Sequence, residues 1–198
     1  MKESRFDQAI QAFDAIHQED PRHLTLEGKE VPWSLHYHHR LTHWLKHLAP
    51  DASENLLLGA RCQHIRRWKI LRNRYPMNKA GYKQWRRTLA KFHAEEAGRV
   101  LRQLGYPKDV LDRVAELLQK VRLKVDPEVQ LFEDAICLVF LENEFLEFSR
   151  QHEEEKSLTI LEKTWLKMSP LGHQAALKLT RQMPEEVQAL VKKAVGGK

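Results

Sequence analysis

Not one aspartate or glutamate occurs between Arg61 and Lys91, although the chain carries 27 acidic residues in all. Eleven of its 33 lysines and arginines stand in that same stretch, so this block alone makes the protein basic at +6. The rest of the sequence is net acidic. Long apolar runs are also missing: nothing approaches the roughly 18 consecutive apolar residues of a membrane span. The opening MKESRFDQAIQAFDAI is amphipathic and lacks the apolar centre of a secretory leader. Only two cysteines are present, Cys62 and Cys137, with no C-x-x-C pair. That count excludes a disulfide scaffold and sets the expectation of reduced, buried thiols in a cytoplasmic protein with no membrane partner. Glycine and proline number eight each and serve as punctuation. No alternating stretch is long enough for a confident strand, and no internal repeat is found, so the expected fold is all-α.

A chain of 198 residues suffices for one domain burying roughly 70% of its unfolded surface. The expectation is a single helical domain over 1–198, with a core at about 34–150 and peripheral C-terminal helices over 153–195. Phe6, Ala9, Ile10, Phe13 and Ile16 mark a first helix, followed by a polar loop, HQEDPRHLTLEGKEVPW. Tyr37, Leu41, Trp44, Leu45 and Leu48 give a second helix its core face. His39, His43 and His47 lie on the opposite face, since two residues along a helix subtend about 200°. They read as solvent-exposed. Asp51 and Glu54 have capping-box spacing for a third helix, expected to end near Arg72. Asn78 is placed to cap a long helix reaching Leu104, with Trp85, Leu89, Phe92, Val100 and Leu104 as its seam. Gly105 and Pro107 separate it from an amphipathic helix ending near Arg122. Asp126-Pro127 opens a helix that is apolar all round at Ile136–Leu141, so it should be wrapped by others. Asp134 stands one turn before that run and needs a partner, because burying a lone carboxylate costs several kcal/mol. Three further helices follow, with starts near His152, Ser169 and Met183.

Within the basic block Trp68, Tyr75, Tyr82 and Trp85 interleave with the charges, and His64 and His93 lie at its ends. Guanidinium groups hold phosphate by paired hydrogen bonds. Arg61, Arg66, Arg67, Arg86, Arg87 and Tyr82 are therefore the candidate substrate-binding residues. Convergence of the arginines on His64 and His93 would point to a phosphorylated metabolite or nucleotide. Cations spread over an outer face beside exposed Trp68, Tyr75 and Tyr82 would point to RNA.

Gln63-His-Ile-Arg-Arg-Trp68, Tyr75-Pro76, Gly81-Tyr82, Trp85-Arg86, Phe92-His93, Asp126-Pro-Glu128, Glu133-Asp134, Cys137-Leu-Val-Phe-Leu-Glu142 and Lys163-Thr-Trp165 together resemble an uncharacterised bacterial and fungal family, a domain of unknown function. Residues 92–141, with a histidine, a glycine turn, an amphipathic helix and "EDA" opening the next helix, are distantly similar to the HD superfamily of metal-dependent phosphohydrolases. That resemblance implies an HD-like helical fold and a divalent metal (Fe, Mn, Co, Ni or Zn) held by His64, His93 and Asp134. The ion would activate water or bind a substrate oxygen. Glu95 and Glu96 follow His93 as candidate general acid or base and, with Lys120, complete the candidate catalytic set. The pattern departs from the HD set at Ile65 for the doublet aspartate, Tyr37 for the first-helix histidine and Lys120 near the last histidine. The sequence thus implies either a phosphate-binding, HD-like hydrolase or an RNA or nucleotide binding module without catalysis.

Overall fold

Short polar residues set half of the α-helix starts among the described residues. Ser4, Ser53, Asn78, Asp126 and Ser169 each accept a backbone N–H of the first turn that follows, which relieves one of the donors a helix end leaves open. The computed structural model describes residues 3–196, and among them the fold is all-α apart from one hairpin. In chain order the elements are α1 (Arg5–His17), β1 (His23–Leu26), β2 (Lys29–Pro32), α2 (Trp33–Leu48), α3 (Glu54–Cys62), α4 (Lys79–Gln103), α5 (Lys108–Gln119), α6 (Pro127–Asn143), α7 (Phe145–Arg150), α8 (Glu154–Lys167), α9 (Pro170–Thr180) and α10 (Glu185–Val195).

Three sequence expectations are corrected. The polar loop holds an antiparallel hairpin, paired from His23 with Pro32 to Leu26 with Lys29. Its two-residue turn places Glu27 and Gly28 at φ +48° and +78°, the left-handed geometry that matches strand twist. The cap of α3 is Ser53, whose side chain accepts from Leu56 N–H, and not Asp51. Finally, α3 ends at Cys62; beyond it the basic block runs through turns and two single-turn 3₁₀ segments, Arg67–Lys69 and Arg72–Arg74.

The described chain forms two compact units, one reaching Thr42 and resuming over Asp51–Val121, the other made of His43–Pro50 and the residues from Arg122 onward. In the first unit α5 packs on α3 and α4, and α1 on α3 and α4, around Ala9, Phe13, Leu56, Leu58, Leu89, Leu101 and Leu117. In the second, α6 packs against α7, α8 and α9, and α10 covers α8 and α9. Val129, Phe132, Ala135, Leu138, Val139 and Leu141 of α6 are all buried, so this helix is wrapped as its composition requires. Neither cysteine is in a disulfide, and both are buried. Among the described residues no helix is long and apolar enough to cross a membrane.

Candidate functional site

Helix α3 stops where it does because side chains from distant elements take the backbone groups that a longer helix would have used. His17 Nε2–H donates to the Arg61 carbonyl at 2.7 Å. The backbone N–H of His64 donates to His38 Nε2 at 3.0 Å, and His93 Nδ1–H donates to the Ile65 carbonyl at 2.8 Å. These partners also fix the tautomers. His17 accepts the Ser34 hydroxyl on Nδ1 at 2.8 Å, and His38 donates from Nδ1 to the Ser34 carbonyl at 2.6 Å. The His17 and His38 rings stack at 3.8 Å.

His64, placed by this turn, lies between Tyr37, whose ring stacks on it at 5.0 Å, and His93 at 5.7 Å. Tyr37 O–H is anchored on Gln63 Oε1 at 3.1 Å. Two ring nitrogens, His64 Nδ1 and His93 Nε2, are buried with no hydrogen-bond partner among the described residues. Burial pushes His93 down to about 3, with Arg67 and Arg86 acting in the same direction, and His17 down to about 4. His38 and His64 are held well below the ordinary imidazole range, first by burial and then by neighbouring His17 and Arg67 respectively. All four rings are neutral at pH 7.

The candidate arginines divide into two groups. Arg61 is bound by Asp14 through Nε at 2.6 Å and Nη2 at 2.8 Å and also reaches Thr42 and His39, so it acts as a strut between α1, α2 and α3. Burial alone would raise the Asp14 carboxyl, but hydrogen bonds from His39 and Arg61 leave it below its ordinary value. Arg66, in the left-handed region at φ +51°, pairs with Glu19 at 3.0 Å and with Glu96 at 3.4 Å. Arg67 and Arg86, in contrast, have no carboxylate partner among the described residues. Arg67 lies over Trp85 at 4.8 Å, and Trp85 is fixed by donating Nε1–H to the Ile70 carbonyl at 2.9 Å. Burial, then repulsion from Arg86, lowers Arg67 to about 10. It stays charged at neutral pH. Arg87 is exposed, and Tyr82, 49% exposed, packs beside Trp85 at 5.8 Å. Arg72, not anticipated, stands 5.9 Å from both rings and donates to the carbonyls of Tyr75, Pro76 and Asn78.

Of the candidate catalytic residues, Glu96 is the one firmly held by structural partners. Glu96 is clamped by Arg99 at 2.7 Å as well as by Arg66. Glu95 is exposed, 3.9 Å from Lys91. Lys120 is the C-cap of α5 with φ +56°. Asp134, in the second unit, accepts from Ser169 N–H at 2.8 Å and Gln130 Nε2–H at 2.9 Å on Oδ1, and from the Ser169 hydroxyl on Oδ2. Its carboxylate braces the start of α9. Among the described residues no three His, Cys, Asp or Glu side chains form a group suited to a metal ion. His64 and His93 moreover sit in the positive field of Arg67 and Arg86, which favours an anion over a cation. The residues present do not fit the expected three-ligand set.

The sequence sets His17 at the start of the polar loop, whereas in the structure it closes α1 and stacks on His38. Both are fully buried. The signal for His17 was its place four residues after Phe13 and eight after Ala9, on the same helical stripe.

A family model described as Domain of unknown function (DUF4202) matches residues 7–191. No curated protein and no solved structure matches the chain.

Proposed function

The chain belongs to the DUF4202 family, and from the chemistry of the first unit we propose that it binds a phosphate-bearing small molecule, with the phosphate on Arg67 and Arg86. One observation carries this reading. Two neighbouring half-buried guanidinium groups have no carboxylate partner among the described residues, although Arg61, Arg66 and Arg99 nearby all have one. Like charges brought together away from water repel, and an anion relieves that repulsion. The order of His64, His93 and Asp134 in the sequence keeps its HD-like character. With the Asp134 carboxylate filled by Ser169 and Gln130, the reading stops at binding and assigns no hydrolytic step.

Titration calorimetry with inorganic phosphate tests it. Arg67→Gln and Arg86→Gln are each expected to weaken binding by roughly tenfold to a hundredfold, since a charged hydrogen bond contributes about 1.5–3 kcal/mol. Arg87→Gln is the exposed control and should change little. Unchanged affinity in both variants sinks the proposal.

A second reading rests on a separate observation. Leu71, Met77 and Tyr82 are 46%, 78% and 49% exposed, beside exposed Lys69, Arg74, Lys79 and Lys83. Such a surface suits single-stranded RNA, with bases on Tyr82 and phosphates on the cations. Its mark is a log-log salt slope of about −0.7 per phosphate neutralised, and a flat response removes it.

A further inference from the structure

The two unpartnered ring nitrogens restrict what else the ligand must carry. His93 has one proton, on Nδ1, directed at the Ile65 carbonyl 2.8 Å away. Its Nε2 is therefore a bare lone pair, on a side chain whose residue is only 3% exposed. His64 Nδ1 is likewise buried and without a partner among the described residues, on a ring 5.7 Å from that of His93. A fully ionised phosphate oxygen cannot satisfy His93 Nε2, because it has no hydrogen to give. An ammonium group could donate, but Arg67 and Arg86 would repel it. A hydroxyl meets both conditions: it is neutral, donates once and accepts at two lone pairs. One hydroxyl can give its hydrogen to His93 Nε2 and accept one from His64 Nδ1 when that nitrogen is protonated.

Resting on the phosphate reading above, we infer that the ligand is a hydroxylated phosphate ester of the sugar-phosphate class, its hydroxyl bound between His93 Nε2 and His64 Nδ1 and its phosphate on Arg67 and Arg86. The surroundings suit this role. Tyr37 covers the His64 ring and is itself held by Gln63, so the ring is positioned before the ligand arrives. A site built around an unsatisfied acceptor discriminates against analogues that lack the donor, because they leave it unpaired.

The test compares esters with the same phosphate and different hydroxyl content. Ethyl phosphate, glycerol 3-phosphate, ribose 5-phosphate and glucose 6-phosphate are titrated into the full chain by calorimetry, with inorganic phosphate as reference. At least one hydroxylated ester is expected to bind roughly tenfold to a hundredfold tighter than ethyl phosphate, the range set by an unpaired buried acceptor. In His93→Asn, whose shorter amide keeps a donor for the Ile65 carbonyl but has no atom at the Nε2 position, the affinity ratio of the hydroxylated ester to ethyl phosphate should fall to about one. The comparison on the unmodified chain decides even if the variant fails to fold. Equal affinity for ethyl phosphate and all the hydroxylated esters overturns the inference and leaves the phosphate site standing. Absence of binding by every compound, inorganic phosphate included, overturns both.

Discussion

His38 Nε2 accepts the backbone N–H of His64 at 3.0 Å, so an imidazole from α2 stands where a helix carbonyl would otherwise be. This bond works only while Nε2 is unprotonated. The same holds for His17 Nδ1, which accepts the Ser34 hydroxyl. The end of α3 is thereby tied to the neutral form of buried rings.

Acid should loosen the first unit first. His17 and His93 fall to about 4 and about 3 in the fold, against an unfolded value near 6.5, and His38 and His64 shift the same way. Below pH 6.5 the unfolded chain binds protons that the folded chain refuses. Stability is thus full above that pH and falls as pH drops toward the folded values, by about 2 kcal/mol for each of His17 and His93 at pH 5, with His38 and His64 acting in the same direction. Urea titrations at pH 7.5 and pH 5 check this, and an equal midpoint at both would contradict it.

The Arg61 and Asp14 pair should prove structural. With side chains only 11% and 24% exposed and two short bonds, its coupling is expected above the surface range, at about 1–3 kcal/mol. A double-mutant cycle with Arg61→Met and Asp14→Asn measures it. Phosphate affinity should not move in these variants.

Asp134 should behave as a brace in its unit. Asp134→Ala strips three hydrogen bonds from Ser169 and Gln130 and is expected to lower stability by several kcal/mol. Gly172→Ala attacks the same joint sterically, since its Cβ would lie 2.7 Å from Asp134 Oδ1, at a cost of about 1–3 kcal/mol. Thermal melts of both variants, read against unchanged phosphate binding, separate a brace from a ligand.

Local signals in the sequence were enough for elements that depend on local physics. Asn78, Asp126 and Ser169 cap the helices their positions suggest, and α6 is wrapped as its apolar run demands. The end of α3 was illegible because its cause is not local: His17, His38 and His93 bond to residues 61–65 from other elements. Burial of His38 was not legible because α2 buries both Tyr37 and His38, whereas one apolar stripe through Tyr37, Leu41 and Leu45 predicts a single face. Arg61 and Arg66 looked free because the carboxylates that hold them, Asp14 and Glu19, lie 47 positions earlier. The same charge count that marked the block could not say which of its cations the fold neutralises.

The bonds that fix residues 61–65 span 44, 26 and 28 positions of chain. Each closes a loop whose entropy must be lost before the contact forms, so this turn should set late in folding, after α1, α2 and α4 have met. Substitutions at His17 or His38 are then expected to steepen unfolding while refolding keeps its pace. The basic block would be the last part of the first unit to take its shape and the first to lose it.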